Sequence, residues 1–201
     1  MNQKINGLAD IQIGYQFRGK VETDSLGTHK VIQIRDLDSE FRLNTDSCWT
    51  VTPKGNIFRY LVSKGDVLFL ARGQRNHAVA ITQSLQSTIA AGYFYIIRIK
   101  SELILPEYLA WFINQAPAQQ YLHNTARRGT HMPLIPLSAF ANLEVNLPDL
   151  NMQQLVVDLS KLQEREDGLL REIQAKRSLL IKRLSLKAVK KIGRASCRER
   201  V

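Results

Sequence analysis

Residues 65–81 read "GDVLFLARGQRNHAVAI", a stretch in which two apolar runs enclose a polar turn. The runs at 67–71 and 78–81 have the composition of buried strands. The turn between them carries two arginines, two amides and a histidine. Arginine can hydrogen-bond to guanine, asparagine or glutamine to adenine, and all of them to phosphates, so this hairpin is a candidate DNA contact. The alternative is a solvated hairpin with ordinary surface arginines.

A second basic cluster lies at residues 124–133, "NTARRGTHMP", again around a glycine. Glycine permits backbone conformations that other residues resist, which suits a tight turn presenting polar side chains. Two such clusters in one basic chain favour nucleic acid as the ligand. The predicted DNA-binding side chains are Arg72, Gln74, Arg75, Asn76, His77, Arg127, Arg128, Thr130 and His131.

Composition narrows the class of protein. The chain has 201 residues, is 44% hydrophobic and has a net charge of +10. That length can bury a substantial core, and that charge suits a polyanionic partner. The sequence contains neither a membrane span nor a signal peptide, so we expect a cytoplasmic protein without membrane contact. Cys48 and Cys197 lack disulfide or zinc-ligand spacing, so we expect no metal site.

The pattern of elements predicts an α+β fold, with a mixed α/β domain over residues 1–148 and a long coiled-coil-type helix behind it. Short runs rich in Val, Ile, Phe and Tyr, such as 29–34 and 93–99, predict strands. One helix is predicted from Pro106, ending or kinking at Pro117.

Residues 149–187 have the composition of one long helix. Asn151 and Gln154 have the spacing of a capping box at its start. An apolar stripe with a period near 3.5 follows, interrupted at Glu166 and Arg177. Its members are Leu155, Leu159, Leu162, Leu169, Ile173, Leu180 and Leu184. A helix of about 50 Å is too long to pack only on its own domain, so we expect a partner; the alternative is a solvated helix folded back on the domain.

Residues 188–201 form a basic tail that abandons the helical stripe. Its irregular composition indicates either a non-native sequence joined from elsewhere or a frayed basic terminus.

Catalytic signatures are missing from the sequence. Phosphate-binding loops, dinucleotide fingerprints, nucleophile elbows and zinc-protease motifs do not occur in it. Acidic residues at Asp36, Asp38, Glu40 and Asp46 could serve a nuclease, but their segment has the character of a polar connection between strands. These observations favour a nucleic-acid-binding protein over an enzyme.

The order of several segments resembles one target-recognition domain of a Type I restriction-modification specificity subunit. The resemblance covers about residues 8–186. Its most specific parts are "KGDVLF-x-x-RG" from Lys64, "PEYL" from Pro106, and "LP-x-L-x-x-Q" from Leu147 to the start of the long helix. Asp149 departs from the family pattern, in which a second proline is frequent.

This resemblance implies a non-catalytic subunit that selects the DNA sequence and holds two modification subunits. Those partners carry S-adenosylmethionine and methylate adenine, and restriction subunits driven by ATP and Mg²⁺ join the complex; the chain itself needs no cofactor. Complete members have two recognition domains and two antiparallel helices, so this chain is similar to half of one. We expect it to read one half-site of double-stranded DNA, as a homodimer or paired with another half-subunit, with the helix length setting the spacer.

Two alternatives remain open at the sequence level. One is a stand-alone dimeric DNA-binding regulator without a methyltransferase partner. The other is an adaptor whose helix binds a protein and whose loops are ordinary surface.

Overall fold

The computed structural model describes residues 1–73, 75–126 and 132–196, with side chains as far as Lys187. Internal contacts divide the chain into two units, Met1–Val157 and Asp158–Val201. The predicted α+β class with a long C-terminal helix is confirmed. The strands are β1 (Asn2–Lys4), β2 (Ala9–Ile13), β3 (His29–Ile32), β4 (Trp49–Val51), β5 (Val67–Leu70), β6 (Ala78–Ala80), β7 (Thr88–Ala90), β8 (Phe94–Ile99) and β9 (Glu144–Asn146). The helices are α1 (Ile5–Leu8), α2 (Pro106–Ile113), α3 (Ala116–Thr125), α4 (Leu137–Ala141) and α5 (Leu150–Ser196).

The strands of the first unit form three sheets. The largest has the order β2-β8-β5-β6 and is antiparallel throughout. A second sheet has the order β4-β3-β7, in which β3 is antiparallel to β4 and parallel to β7. The third is the antiparallel pair of β1 and β9, which brings the start of the chain beside the segment that precedes α5.

Burial on both faces explains why β5 is apolar at every position. Val67 and Phe69 belong to a core cluster shared with α2, α3 and α4. Leu68 and Leu70 point the other way, into a cluster that includes Ile32 of the second sheet. Because successive side chains of a strand alternate between faces, a strand covered on both sides needs an unbroken apolar run. The four-stranded sheet is therefore the middle layer of the first unit.

The segment from Pro106 contains two helices, where the sequence predicted one. Pro106 occupies the first turn of α2, as predicted, but α2 ends at Ile113. Pro117 lies in the first turn of α3, so it begins a second helix and does not end or kink the first one. A proline fits there because the amide groups of a first turn have no acceptor within the helix.

The start of α5 corrects the predicted capping box. The cap is Asp149, whose Oδ1 accepts a hydrogen bond from the Met152 amide at 3.0 Å. Asn151 and Gln154 lie within the helix, after its first residue Leu150. The departure from the family's proline at position 149 thus has a structural consequence, because aspartate is among the best helix N-caps.

Gln153 anchors the first turns of α5 in the core of the first unit. Its side chain is 0% exposed. Its Oε1 accepts from the Leu105 amide at 2.9 Å, and its Nε2 donates to the carbonyl oxygens of Leu103 at 2.8 Å and Pro148 at 2.9 Å. Val157 is also buried, so the first unit extends into α5, beyond the predicted domain boundary at residue 148.

Within the second unit, α5 carries exposed apolar side chains. At 3.6 residues per turn, Leu184 lies about seven turns after Leu159 and so on the same side of the helix. Leu170 and Ile181, which the predicted stripe did not include, are exposed as well.

Candidate nucleic-acid interface

One edge of the four-stranded sheet gathers the chain segments that carry the candidate site. Strand pairing joins Leu70 to Phe94, Phe69 to Ala78 and Ile13 to Tyr95. The ends of β2 and β5 and the beginnings of β6 and β8 therefore meet at this edge. The turn that connects β5 to β6 lies here, and the sheet supports it.

The two arginines of this turn that the structure describes are exposed. Arg72 and Arg75 both lie at the surface. The main chain at Arg72 is fixed, because its amide donates to the carbonyl oxygen of Tyr93 at 3.3 Å and it bridges to Leu134. Burial raises the pKa of Tyr95, and the positive charge of Arg72 opposes that rise. The arrangement offers two guanidinium groups to an anion.

Asn76 and His77 are half-buried and bonded within the chain. The Asn76 Nδ2 donates to the carbonyl oxygen of Leu70 at 2.8 Å. The His77 Nε2 lies 3.1 Å from the Asn114 Nδ2, and its ring stacks on Phe41 with the centroids 4.3 Å apart. Burial lowers the pKa of His77 to about 4, so the imidazole is neutral near pH 7. In this structure both side chains hold the turn in place.

Asn114, which the sequence analysis did not select, connects the turn to α2. Its Oδ1 accepts from the Ala78 amide at 2.8 Å, and its Nδ2 donates to the Ala78 carbonyl oxygen at 2.9 Å. It thus replaces a neighbouring strand along this part of β6. Asn114 is also the C-terminal cap residue of α2.

Part of the predicted site lies outside the described residues. From the first turn this is Gln74, and from the second cluster these are Arg127, Arg128, Thr130 and His131. The structure does describe the chain on either side. At the end of the cluster, Pro133 accepts a hydrogen bond from the Gly73 amide at 3.1 Å, and just beyond it the Ile135 amide donates to the Ala71 carbonyl oxygen at 2.9 Å. The segment that leaves the second cluster is therefore bonded directly to the first turn.

The acidic segment that could have served a nuclease has a structural role at Asp36. This carboxylate is buried, accepts from the Gln33 amide at 2.8 Å and from the Ser47 hydroxyl at 3.2 Å, and lies 3.6 Å from the Arg35 Nε. Across the described parts of the chain, His, Cys, Asp and Glu side chains do not gather in groups of three that could hold a metal ion.

The predicted stripe of α5 lies at the surface. Its seven members, Leu155, Leu159, Leu162, Leu169, Ile173, Leu180 and Leu184, have exposed fractions between 51% and 63%. Burying apolar surface of this kind in a contact would contribute a favourable free energy of about 25 cal/mol for each Å² covered. Such a surface is a candidate for contact with another polypeptide. None of the helices in the described part of the chain combines the length and the apolar composition that crossing a bilayer requires.

Comparison with known proteins identifies the fold. No protein-family model and no curated protein matches the chain. Several solved structures do match the chain. One is the Type I restriction-modification S subunit of M. genitalium, with 16% sequence identity and a TM-score of 0.57. The match covers 89% of this chain and 42% of that one. The HsdS subunit of Thermoanaerobacter tengcongensis matches at 18% identity and a TM-score of 0.65, over 88% of this chain and 45% of that one.

A chain from a structure of the type I R-M system, described for its complex assembly and conformational transition, also matches. Its identity is 16% and its TM-score 0.62, over 92% of this chain and 43% of that one. The resemblance inferred from the motifs is thus confirmed at the level of the fold. The chain spans less than half the length of each of these proteins.

Proposed function

We propose that this chain, which has the fold of Type I restriction-modification specificity subunits, binds double-stranded DNA sequence-specifically and reads one half-site. The observation that carries the proposal is the direct bonding of the first basic turn to the segment leaving the second, at one edge of the large sheet. We infer that two clusters joined in this way act as one cationic surface. Such a surface gains affinity from phosphates and specificity from base edges.

Within this surface the structure supports a division of labour among the predicted contacts. Exposed Arg72 and Arg75 are available to DNA, whereas Asn76 and His77 act by fixing the turn that presents them. Arg127, Arg128, Thr130 and His131, with Gln74, complete the proposed contact set from outside the described residues. A preorganised turn loses less entropy on binding than a mobile one does.

The exposed stripe of α5 supports pairing with a second copy, and the charges along the helix favour an antiparallel arrangement. Residues 158–172 contain five acidic and three basic side chains, whereas residues 173–187 contain five basic and no acidic ones. Antiparallel helices would set each acidic half against a basic half, and parallel helices would set like charges together. Two identical half-sites in inverted orientation, separated by a spacer that the helix length sets, would then form the target.

The proposed complex assigns catalysis to other chains. Modification subunits would bind S-adenosylmethionine and methylate adenine, and restriction subunits would use ATP and Mg²⁺. This chain would select the DNA and hold the modification subunits. The fold similarity to specificity subunits and a match in an assembled type I system support this assignment.

Mapping methylated adenine across the genome, with and without the gene, tests the proposal. We expect one inverted-repeat motif to lose its methylation when the gene is deleted and to regain it when the gene is restored. Affinity purification of the tagged chain should also recover a modification subunit. An unchanged methylation map, with DNA alone in the purified material, would instead identify a stand-alone DNA-binding regulator.

A further inference from the structure

A groove of about 800 Å³ opens beside β2, and neither the motifs nor the proposed recognition surface uses it. Three segments line it: residues 13–18, which begin at the last residue of β2, residues 52–55 after β4, and Arg59 with Tyr60. We call it the aromatic groove. Its volume lies within the roughly 300 to 1,000 Å³ of typical small-molecule sites, which is enough for a nucleotide.

Three half-buried rings form the apolar part of the aromatic groove. Tyr15 is central, with Phe17 at 4.8 Å and Tyr60 at 5.2 Å between ring centroids, both edge to face. The Tyr15 hydroxyl donates to the Lys54 carbonyl oxygen at 3.1 Å and accepts from the Lys54 amide at 3.0 Å. These bonds connect the Tyr15 ring to the 52–55 segment and hold the two walls of the groove together. The rings also pack against the second sheet.

The charged side chains that line the aromatic groove are all basic. Arg18, Lys54 and Arg59 are exposed, and no aspartate or glutamate is among the lining residues that the structure describes. The Arg59 guanidinium carbon lies 5.2 Å from the centroid of the Tyr60 ring. Cations beside aromatic faces suit a ligand that combines a planar ring with negative charge.

We propose that the aromatic groove binds an unstacked nucleotide of a nucleic-acid strand, with the base on the rings and the phosphate among the three cations. Proteins that hold single strands combine these two features, since every base has a face that can stack and every phosphate a charge. This site deepens the proposed DNA-binding function and rests on it. The two sites bind different ligands, because the basic turn is proposed to contact an intact duplex and the groove an unstacked nucleotide.

The position of the aromatic groove allows one DNA molecule to reach both sites. The Gly14 amide donates to the Phe94 carbonyl oxygen at 2.9 Å, and the Ala71 amide donates to the Tyr93 carbonyl oxygen at 2.9 Å. The groove segment and the basic turn therefore leave the same edge of the sheet on either side of β8. Strands two places apart in a sheet are about 10 Å from each other, so the two sites belong to one continuous face.

Binding of a single-stranded oligonucleotide that carries the fluorescent base 2-aminopurine tests this proposal. We expect the full chain to quench the fluorescence by stacking, and Lys54→Glu to weaken binding by about tenfold or more through charge reversal. Lys64→Glu is the matched control, because Lys64 is exposed and precedes β5 at the opposite edge of the sheet. Its affinity should stay within about twofold of the parent chain.

Ring variants separate stacking from charge. Tyr60→Phe should keep the quenching and Tyr60→Leu should lose it, with both folds checked by thermal unfolding. The proposal would be overturned if the Lys54→Glu variant bound the single strand as tightly as the parent chain does. It would also be overturned if the parent chain bound the strand without quenching the fluorescence. Tight binding of free thymidine monophosphate that the oligonucleotide cannot displace would overturn it as well.

A variant of the basic turn keeps this test distinct from the proposed function. Replacing Arg72 and Arg75 by alanine should weaken duplex binding and leave single-strand quenching intact. If the parent chain did not bind duplex DNA, the proposed function would be contradicted, whether or not the aromatic groove binds the single strand.

Discussion

The amide nitrogen of Gly73 donates a hydrogen bond to the carbonyl oxygen of Pro133 over 3.1 Å. This bond joins the turn after β5 to the segment that leaves the second basic cluster, although 60 positions separate the two residues in the chain. Arg72 bridges to Leu134 beside it. We therefore predict that a change in either basic segment alters the same binding event.

Removing both exposed arginines of the turn should reduce DNA affinity. For Arg72→Ala with Arg75→Ala, we expect a loss of about 1 to 3 kcal/mol on the cognate duplex for each arginine that reads a base. An arginine that contacts only phosphate should weaken cognate and random duplexes equally and lower the salt dependence. Fluorescence anisotropy at several salt concentrations distinguishes these outcomes. Lys64→Ala serves as the control, and unchanged affinity for both duplexes would exclude the turn from the interface.

Truncating Asn114 should loosen the turn without removing any charge. Asn114→Ala removes the partners of the Ala78 amide and carbonyl, at 2.8 and 2.9 Å, and Ala78 itself is buried. We expect a loss of about 2 to 3 kcal/mol in the free energy of unfolding, measured by urea denaturation. Specific DNA binding should weaken more than random binding, because only base reading needs the turn in one geometry. Equal loss on both duplexes would contradict a positioning role.

The neutral state of His77 should make stability depend on pH. Its pKa in the folded chain is about 4, below the value of 6.5 that an unperturbed histidine has. Between these values the unfolded chain binds a proton that the folded chain excludes, so stability is complete above pH 6.5 and falls as the pH drops toward 4. The loss from this residue should be at most about 3 kcal/mol.

Urea denaturation of the parent chain and of His77→Gln at pH 7.5 and 4.5 measures this contribution. The parent chain should lose more stability than the variant between the two values. Parallel losses would show that other groups cause the pH dependence.

The large sheet and the long helix could be predicted because their signals are local. The unbroken apolar run of β5, the run of β8 that only Arg98 interrupts, and the proline-free leucine repeat of α5 indicate structure regardless of neighbours. β2 and β7 carry weaker signals, since their place depends on pairing with β8 and β3.

The candidate site was harder to predict, because the same residue types serve binding and support. Sequence alone treats Asn76 and Arg75 alike as possible DNA contacts. The folded structure distinguishes their roles. Asn76 is half-buried and bonded to the Leu70 carbonyl oxygen, whereas Arg75 is exposed. The aromatic groove was not predictable either, since Tyr15 and Tyr60 lie 45 positions apart and meet only in the folded chain.

The identity of the cap of α5 gives a paired test. Asp149→Ala should lower the free energy of unfolding by about 1 kcal/mol, because it removes the acceptor for the Met152 amide at the positive end of the helix. Asn151→Ala, two residues later and exposed, should change it by less than about 0.5 kcal/mol. Chemical denaturation of the first unit provides both values. A larger loss for Asn151→Ala than for Asp149→Ala would instead support the capping box that the sequence predicted.

The last prediction concerns self-association through α5. Ile173 lies near the middle of the exposed stripe, and Ser178 is exposed on the same helix about 140° away from it. Ile173→Lys would place a charge in a helix-helix contact and should convert a dimer to a monomer, whereas Ser178→Lys adds the same charge elsewhere and should leave the dimer intact. Sedimentation at several protein concentrations measures both.

Salt then reports the orientation of the pair. In an antiparallel dimer the acidic residues 158–172 of one copy face the basic residues 173–187 of the other, so the attraction is screened and the dimer weakens as salt rises. In a parallel dimer like charges face each other, so added salt strengthens it. A dimer of Ile173→Lys as stable as that of the parent chain would mean that the stripe contacts something other than a second copy, and the inverted-repeat target would lose its structural basis.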